Sequence, residues 1–326
     1  MRRSLAPLLI LSLVLVPAAM AQQEWKPEVK FIRFAVATAG GDWFRAGAKY
    51  TTLVPEAVPG LAASTIMGGG VVNVSKIGKG EAQIGFALTP YPEEGYQGKG
   101  KFKEPLKNVR LAASKLGRTI VVALVVLKDS PIQTIHDLKG KRIVTGDRGW
   151  GTTVLAEAMM AAAGMPPDKF RAEGGTISYV SITDRAKALQ DRNIDAFFVP
   201  AQVNYPDVMV VQQAQGLRIV PISNEVVETT LATVPGAGRG AVPKGLYGVL
   251  DKDLPSPGFL QQLIVDAGLS DELVYRLTKL WWERIDEIME IAPTFKESDV
   301  KLAMEGATIP FHPGAVRYYK EVGVAR

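Results

Sequence analysis

Apolar and polar positions along this chain switch repeatedly between a period near two and a period near 3.6. Residues 31–38 alternate as a strand and 43–53 repeat as a helix. A strand over 62–67, a helix over 71–79 and short strands at 83–87 and 109–113 follow. Residues 120–127 form a β-branched run with no polar face, the pattern of a strand buried on both sides. The alternation then restarts. A turn and short helix over 131–138 has Thr134 as its expected N-cap and Gly140 as its stop. A strand at 142–145 leads to a helix over 152–163 closed by Gly164, and a strand at 177–180 follows. A helix over 184–190, capped by Thr183, feeds a strand at 196–199, and 218–221 reads as the last strand of this set. Residues 235–257 are rich in Gly and Pro and read as an irregular connection, with a strand returning at 262–265. After Ser270 the positions Leu273, Leu277, Leu280, Trp281, Ile285 and Ile288 mark an amphipathic helix with Asp271 and Glu272 at its start. Two successive α/β units with mainly parallel strands and a helical tail predict an α/β fold of two lobes. One lobe is expected from 22–117 with 245–326 and the other from 118–244.

The extreme N-terminus has a different character. Arg2 and Arg3 precede an apolar run over 8–16 that is too short to span a bilayer, and Pro17 breaks it before Ala19-Met20-Ala21. This is a signal-peptide pattern with cleavage expected after Ala21, which directs the mature chain to the periplasm. The chain has no cysteine, so disulfides, a thiolate nucleophile and a lipid anchor on cysteine are excluded. Without Arg2 and Arg3 there are 36 Lys and Arg against 33 Asp and Glu. That near balance, with no basic run carrying interleaved aromatics, argues against a nucleic-acid partner.

Three glycine-rich turns sit where a strand meets a helix. They are Thr38-Ala39-Gly40-Gly41-Asp42-Trp43, Gly68-Gly69-Gly70 with Asn73, and Gly146-Asp147-Arg148-Gly149-Trp150-Gly151-Thr152-Thr153. Glycine permits tight turns and close backbone approach, and a helix start directs free N–H groups at an anionic oxygen. Thr152 and Thr153 suit either a cap or a hydroxyl donated to ligand. Arg148 suits a two-pronged bond to a carboxylate, and equally a solvated loop charge. Such turns also join strands to helices where no ligand binds; three of them together favour binding. No nucleotide signature is present, because G-x-x-x-x-G-K-[ST] is absent and Gly146, Gly149 and Gly151 stand in the wrong order for a dinucleotide fingerprint. Trp43, Phe86 and Trp150 lie near expected strand ends and are candidates to line a cleft, whereas Trp281 and Trp282 are expected to pack in the core.

Chemistry of bond making finds little support. The two histidines, His136 and His312, are far apart, and Glu93-Glu94 and Asp251/Asp253 fall in turn-like stretches. No catalytic residue, metal ligand or cofactor is assigned. Asn73-Val74-Ser75 matches the glycosylation sequon and reads as a chance match.

The order of segments resembles the TAXI-type substrate-binding subunits of tripartite ATP-independent periplasmic (TRAP) transporters. Gly40-Gly41 with an aromatic and Gly47 carry the resemblance, as do Gly69-Gly70 with Asn73 and Gly80-Glu81-Ala82-Gln83-Ile84-Gly85-Phe86. Lys128-Asp129-Ser130-Pro131-Ile132 through Asp137-Leu138-Lys139-Gly140 to Gly149-x-Gly151-Thr152, and then Asn193-Ile194-Asp195-Ala196, continue it. The resemblance implies a type II periplasmic-binding-protein-like fold, two α/β lobes hinged by crossing strands around a ligand cleft. It also implies a non-enzymatic receptor for small organic acids or acidic amino acids, with integral-membrane TRAP permease subunits as partners. An ATP-driven (ABC) importer, a tricarboxylate-type carrier and a sensor-linked membrane kinase remain alternative partners, and an exported enzyme on the same scaffold an alternative class. The chain departs from the family pattern at Asp42, at Trp150 and at Ser114-Lys115-Leu116-Gly117-Arg118. Trp150 with Arg118 or Arg148 points to a larger or partly apolar acid.

Overall fold

The structure, a computed structural model, describes residues 25–325 except 38, 40, 147, 149 and 202. The expected leader and the candidates Thr38, Gly40 and Gly149 lie outside the described residues.

The first body is wound from β1 (Phe31–Ala35), α1 (Asp42–Ala57), β2 (Ala62–Ile66), α2 (Gly70–Gly78), β3 (Ile84–Leu88) and α3 (Tyr91–Gln97). β1 pairs in parallel with β2 and β3. All five residues of β3 are buried, as a strand covered on both faces requires. Then β4 (Val109–Leu127) runs for 19 residues out of this body and into the next.

The second body contains β5 (Arg142–Val144), α4 (Gly151–Ala162), α5 (Pro167–Ala172), β6 (Thr176–Ser178), α6 (Ile182–Gln190) and β7 (Ala196–Pro200). It continues with α7 (Pro206–Gln215), β8 (Leu217–Val220) and α8 (Asn224–Thr233). β5 pairs in parallel with β6 and β7, while the far half of β4 pairs antiparallel with β7 and β8. The chain returns through β9 (Ala237–Val242) and β10 (Leu254–Asp266). It ends in α9 (Asp271–Glu283), α10 (Ile285–Ile291) and α11 (Pro313–Glu321). β10 lies antiparallel between β3 and β4, so the sheet order is β2-β1-β3-β10-β4-β7-β5-β6. The two α/β lobes joined by crossing strands that the resemblance implies are present.

Several expectations are corrected. The strands expected at 109–113 and 120–127 are one strand, because Gly117 (φ +54°) lets the backbone kink without ending the pairing with β10. A Cβ there would lie 2.5 Å from the Thr294 carbonyl oxygen, so the residue must be glycine on steric as well as conformational grounds. The stretch read as irregular holds β9, which pairs with Leu254–Phe259 of β10. The crossing strands make the sheet mixed rather than mainly parallel. Helix α6 is capped by Ser181, not Thr183, whose hydroxyl instead donates to Asp207. The amphipathic run after Ser270 breaks at Arg284 into α9 and α10. Ser270 does cap α9, and Thr134 and Asp137 form a capping box.

The first body is held by an aromatic cluster in which Phe86 contacts Phe34, Trp43, Trp281 and Phe295 at centroid distances of 4.6, 5.4, 5.5 and 5.1 Å. The second has an apolar core around Val125, Leu189, Phe197, Val211 and Ile219. Among the described residues no helix is long and apolar enough to cross a membrane, and no group of three His, Asp or Glu is placed to hold a metal ion.

Candidate ligand cleft

A cavity of about 1000 Å³ opens between the bodies. Its walls include the N-terminal turns of α1, α2 and α4, at Gly41-Asp42-Trp43, Gly69-Gly70-Val71 and Trp150-Gly151-Thr152. None of these three helices has a side-chain N-cap. They share this with α3, α5, α7 and α10, whereas α6, α8, α9 and α11 are capped by Ser181, Ser223, Ser270 and His312. A helix start without a capping side chain presents N–H groups and the positive end of the helix dipole to the solvent space in front of it. The sequence builds α2 this close to the cleft floor by using glycine. A Cβ on Gly70 would lie 2.9 Å from the Tyr91 ring.

Of the residues picked out from sequence, Gly41, Asp42, Trp43, Gly70, Arg118, Arg148, Trp150, Gly151 and Thr152 line this cavity. Asn73, Phe86 and Thr153 do not. Phe86 is wholly buried at the centre of the aromatic cluster. Asn73 is wholly buried too: its Nδ2 donates to the carbonyls of Ala35, Val36 and Phe86 at 3.1, 3.0 and 2.8 Å, and its Oδ1 accepts from Gly69 N at 2.9 Å. That side chain ties the ends of β1 and β3 to the start of α2, and its burial closes the sequon to modification. Thr153 is buried beneath Gly146.

The polar groups on the walls differ in how far they are already engaged. Asp42 Oδ2 accepts from Thr294 N at 2.7 Å and Oδ1 pairs with Arg45, whose Nε donates to the Ile291 carbonyl at 2.8 Å. The start of α1 is thereby clamped to the C-terminal tail. Arg118 pairs with Glu297 at 2.9 Å. The Arg148 guanidinium lies 4.2 Å from the centre of the Tyr179 ring, a cation–π arrangement. Trp43 Nε1 donates to Gln261 Oε1 at 2.7 Å. The Gln261 Nε2 in turn donates to the carbonyls of Leu116, Arg118 and Thr294. One buried amide on β10 thus fixes an aromatic wall of the cleft against the kink in β4. Burial and the charge of Asp42 push the Tyr205 hydroxyl well above its ordinary pKa, and burial beside Glu94 does the same for Tyr91.

Sequence reasoning missed Arg45, Tyr91, Lys101, Tyr205, Lys244 and Thr294 on these walls. Tyr205 had a usable signal, since it follows the strand β7 and precedes Pro206 at the start of α7. Lys244 and Thr294 have none, being brought in by the return of the chain. Both His136 and His312 stand away from the cavity; the His312 ring accepts from Gly314 N through Nδ1 and bonds the Leu269 carbonyl through Nε2.

A family model described as the NMT1-like family matches residues 34–323. Among solved structures, the chain is similar to the periplasmic aliphatic sulphonate binding protein SsuA from Escherichia coli, with 14% identity, 90% of this chain and 83% of that chain covered, and a TM-score of 0.49. The alkanesulfonate-binding protein SsuA from Xanthomonas axonopodis pv. citri gives 16%, 92%, 81% and 0.46. Substrate binding domain 2 of Lactococcus lactis GlnP gives 14%, 84%, 98% and 0.43. Similarity at this level speaks to neither ligand nor partner.

Proposed function

We propose, from the premise that this chain belongs to the NMT1-like family, that it is an exported solute receptor. It takes a small polar, carboxylate-bearing ligand between its lobes and presents it to a membrane permease of the TRAP type, with no bond chemistry of its own. The observation that carries this reading is the meeting of three helix starts without side-chain caps, two from one lobe and one from the other, on a single cavity that also holds Arg118 and Arg148. A carboxylate there accepts N–H bonds from both lobes at once, and a ligand shifts the open–closed equilibrium only by its preference for the closed form. The lobes in this reading are 22–117 with 245–326 and 118–244, turning about β4 and β10.

Isothermal titration calorimetry of ligand-stripped protein against a panel of organic acids tests the proposal. Arg148→Ala and Arg118→Ala are each expected to weaken binding by about tenfold or more. Unchanged affinity in both removes the arginines from the site. The mass of the protein recovered from the periplasm is expected to correspond to a chain beginning at Gln22. Loss of uptake on deletion of a TRAP permease, and not of an ABC permease, is the outcome expected for the partner.

A further inference from the structure

The charged groups on the cavity wall are unequally matched. Among the described lining residues Asp42 is the one carboxylate, and both its oxygens are engaged by Arg45 and the Thr294 N–H. Arg118 has Glu297. Lys101, Arg148 and Lys244 line the cavity without a salt bridge to any described carboxylate, although Glu94 acts on the Lys101 charge and Asp253 Oδ1 accepts from Lys244 N at 2.7 Å; the Arg148 guanidinium lies 4.2 Å from the Tyr179 ring centre. With Arg148, Lys101, Lys244 and three helix starts on a wall whose one lining carboxylate is already engaged, the cavity favours anionic groups.

Two hydroxyls on the same wall are also without partners. Tyr91 Oη and Thr294 Oγ1 are buried and make no hydrogen bond, on residues that are each 4% exposed. A buried hydroxyl left unpaired is costly, and both belong to residues of the cavity lining. The remaining walls are largely apolar, with Trp43, Ile120, Trp150, Ile182 and Leu246 among them beside Thr152, Asn204 and Tyr205, and Trp150 is 37% exposed. At about 1000 Å³ the space is at the top of the range of small-molecule sites, so a four- or five-carbon acid leaves most of it to water.

We infer that the ligand is a dianionic organic acid with an aromatic body, its two acidic groups set against the helix starts and unpaired cations and its ring against Trp150. The inference rests on the acid-receptor reading above and narrows it. It is tested by calorimetry on the ligand-stripped mature chain at one pH and ionic strength, with terephthalate, benzoate, succinate and L-glutamate as probes. Terephthalate is expected to bind at least about tenfold more tightly than each of the other three, from the second charge-assisted contact and the aromatic packing. In Trp150→Ala the margin over succinate is expected to fall to about threefold or less. A margin below tenfold over benzoate overturns the second charge, and one below tenfold over succinate or glutamate overturns the aromatic body; either leaves the acid receptor standing. Binding of none of the four overturns both. A margin over succinate that survives Trp150→Ala overturns the placement of the ring.

Discussion

Asn73 offers a sharp test of how the cleft is held. Its amide reaches three carbonyls with only two N–H groups, so at least one N–H is shared, and its oxygen takes the Gly69 N–H at the start of α2. Asn73→Ala leaves these buried backbone groups to find other partners. At about 1–3 kcal/mol for each group left unsatisfied, with partial relaxation, the loss is expected to be about 3 kcal/mol. For a chain of this size that corresponds to a fall in Tm of about 5 °C. Asn73→Asp is nearly isosteric but replaces the donor with an acceptor facing three carbonyl oxygens. It is expected to be worse than alanine at pH 8. The carboxyl in that site has its pKa raised above the unfolded value, so its protonated, donating form is favoured in the fold. Its stability is retained below the unfolded pKa and lost as pH rises toward the folded one, at up to about 1.4 kcal/mol per unit. Urea denaturation of wild type, Asn73→Ala and Asn73→Asp at pH 5 and pH 8 measures all three quantities. An aspartate variant as stable as wild type, or one whose deficit does not grow between pH 5 and pH 8, refutes the bracing role.

Other features have outcomes as definite. Burial holds the His312 ring below its ordinary pKa of 6.5, outweighing the upward pull of Asp271; the neutral ring is the form the fold accepts. Its contribution is therefore complete above pH 6.5 and lost as pH falls toward the folded value. A His312→Asn variant, which keeps an N-cap, is expected to show a flatter difference curve than wild type between pH 7 and pH 5 in urea midpoints. Gly117→Ala combines a left-handed conformation with a Cβ at 2.5 Å from a carbonyl oxygen, and is expected to cost about 2–4 kcal/mol in the same assay. A smaller loss would show that the kink relaxes. Trp43→Phe keeps the ring contact with Phe86 but leaves Gln261 Oε1 buried without its donor. A loss of about 1–3 kcal/mol is expected in urea midpoints, and a variant as stable as wild type would show that Gln261 Oε1 finds another donor.

Where local signals were strong, the fold could be read before it was seen. The buried run of β3, the β-branched half of β4 and the Ser270 cap of α9 each announce themselves by period or by residue type. β9 does not, because Ala-Gly-Arg-Gly-Ala-Val has no strand pattern and exists as a strand through pairing with β10. In the cleft, the glycine-rich helix starts were legible since they follow from backbone chemistry. Asn73 was not: a polar residue after a glycine turn looks available to a ligand until the open carbonyls at the ends of β1 and β3 come into view. Phe86 misled for a similar reason, since a strand end near a cleft also faces the interior.

The position of β10 carries one more consequence, for the order in which the molecule is completed. Its residues 261–265 pair with 84–88 of β3, 258–266 with β4 and 254–259 with β9. The N-terminal sheet therefore stays without one of its inner strands until nearly the whole chain has been made, while β4 to β8, which pair among themselves, are contiguous in the chain. Long loop closure makes such pairing slow. The first body is therefore the last to be completed, because its sheet waits for a strand that follows every strand of the second body in the chain.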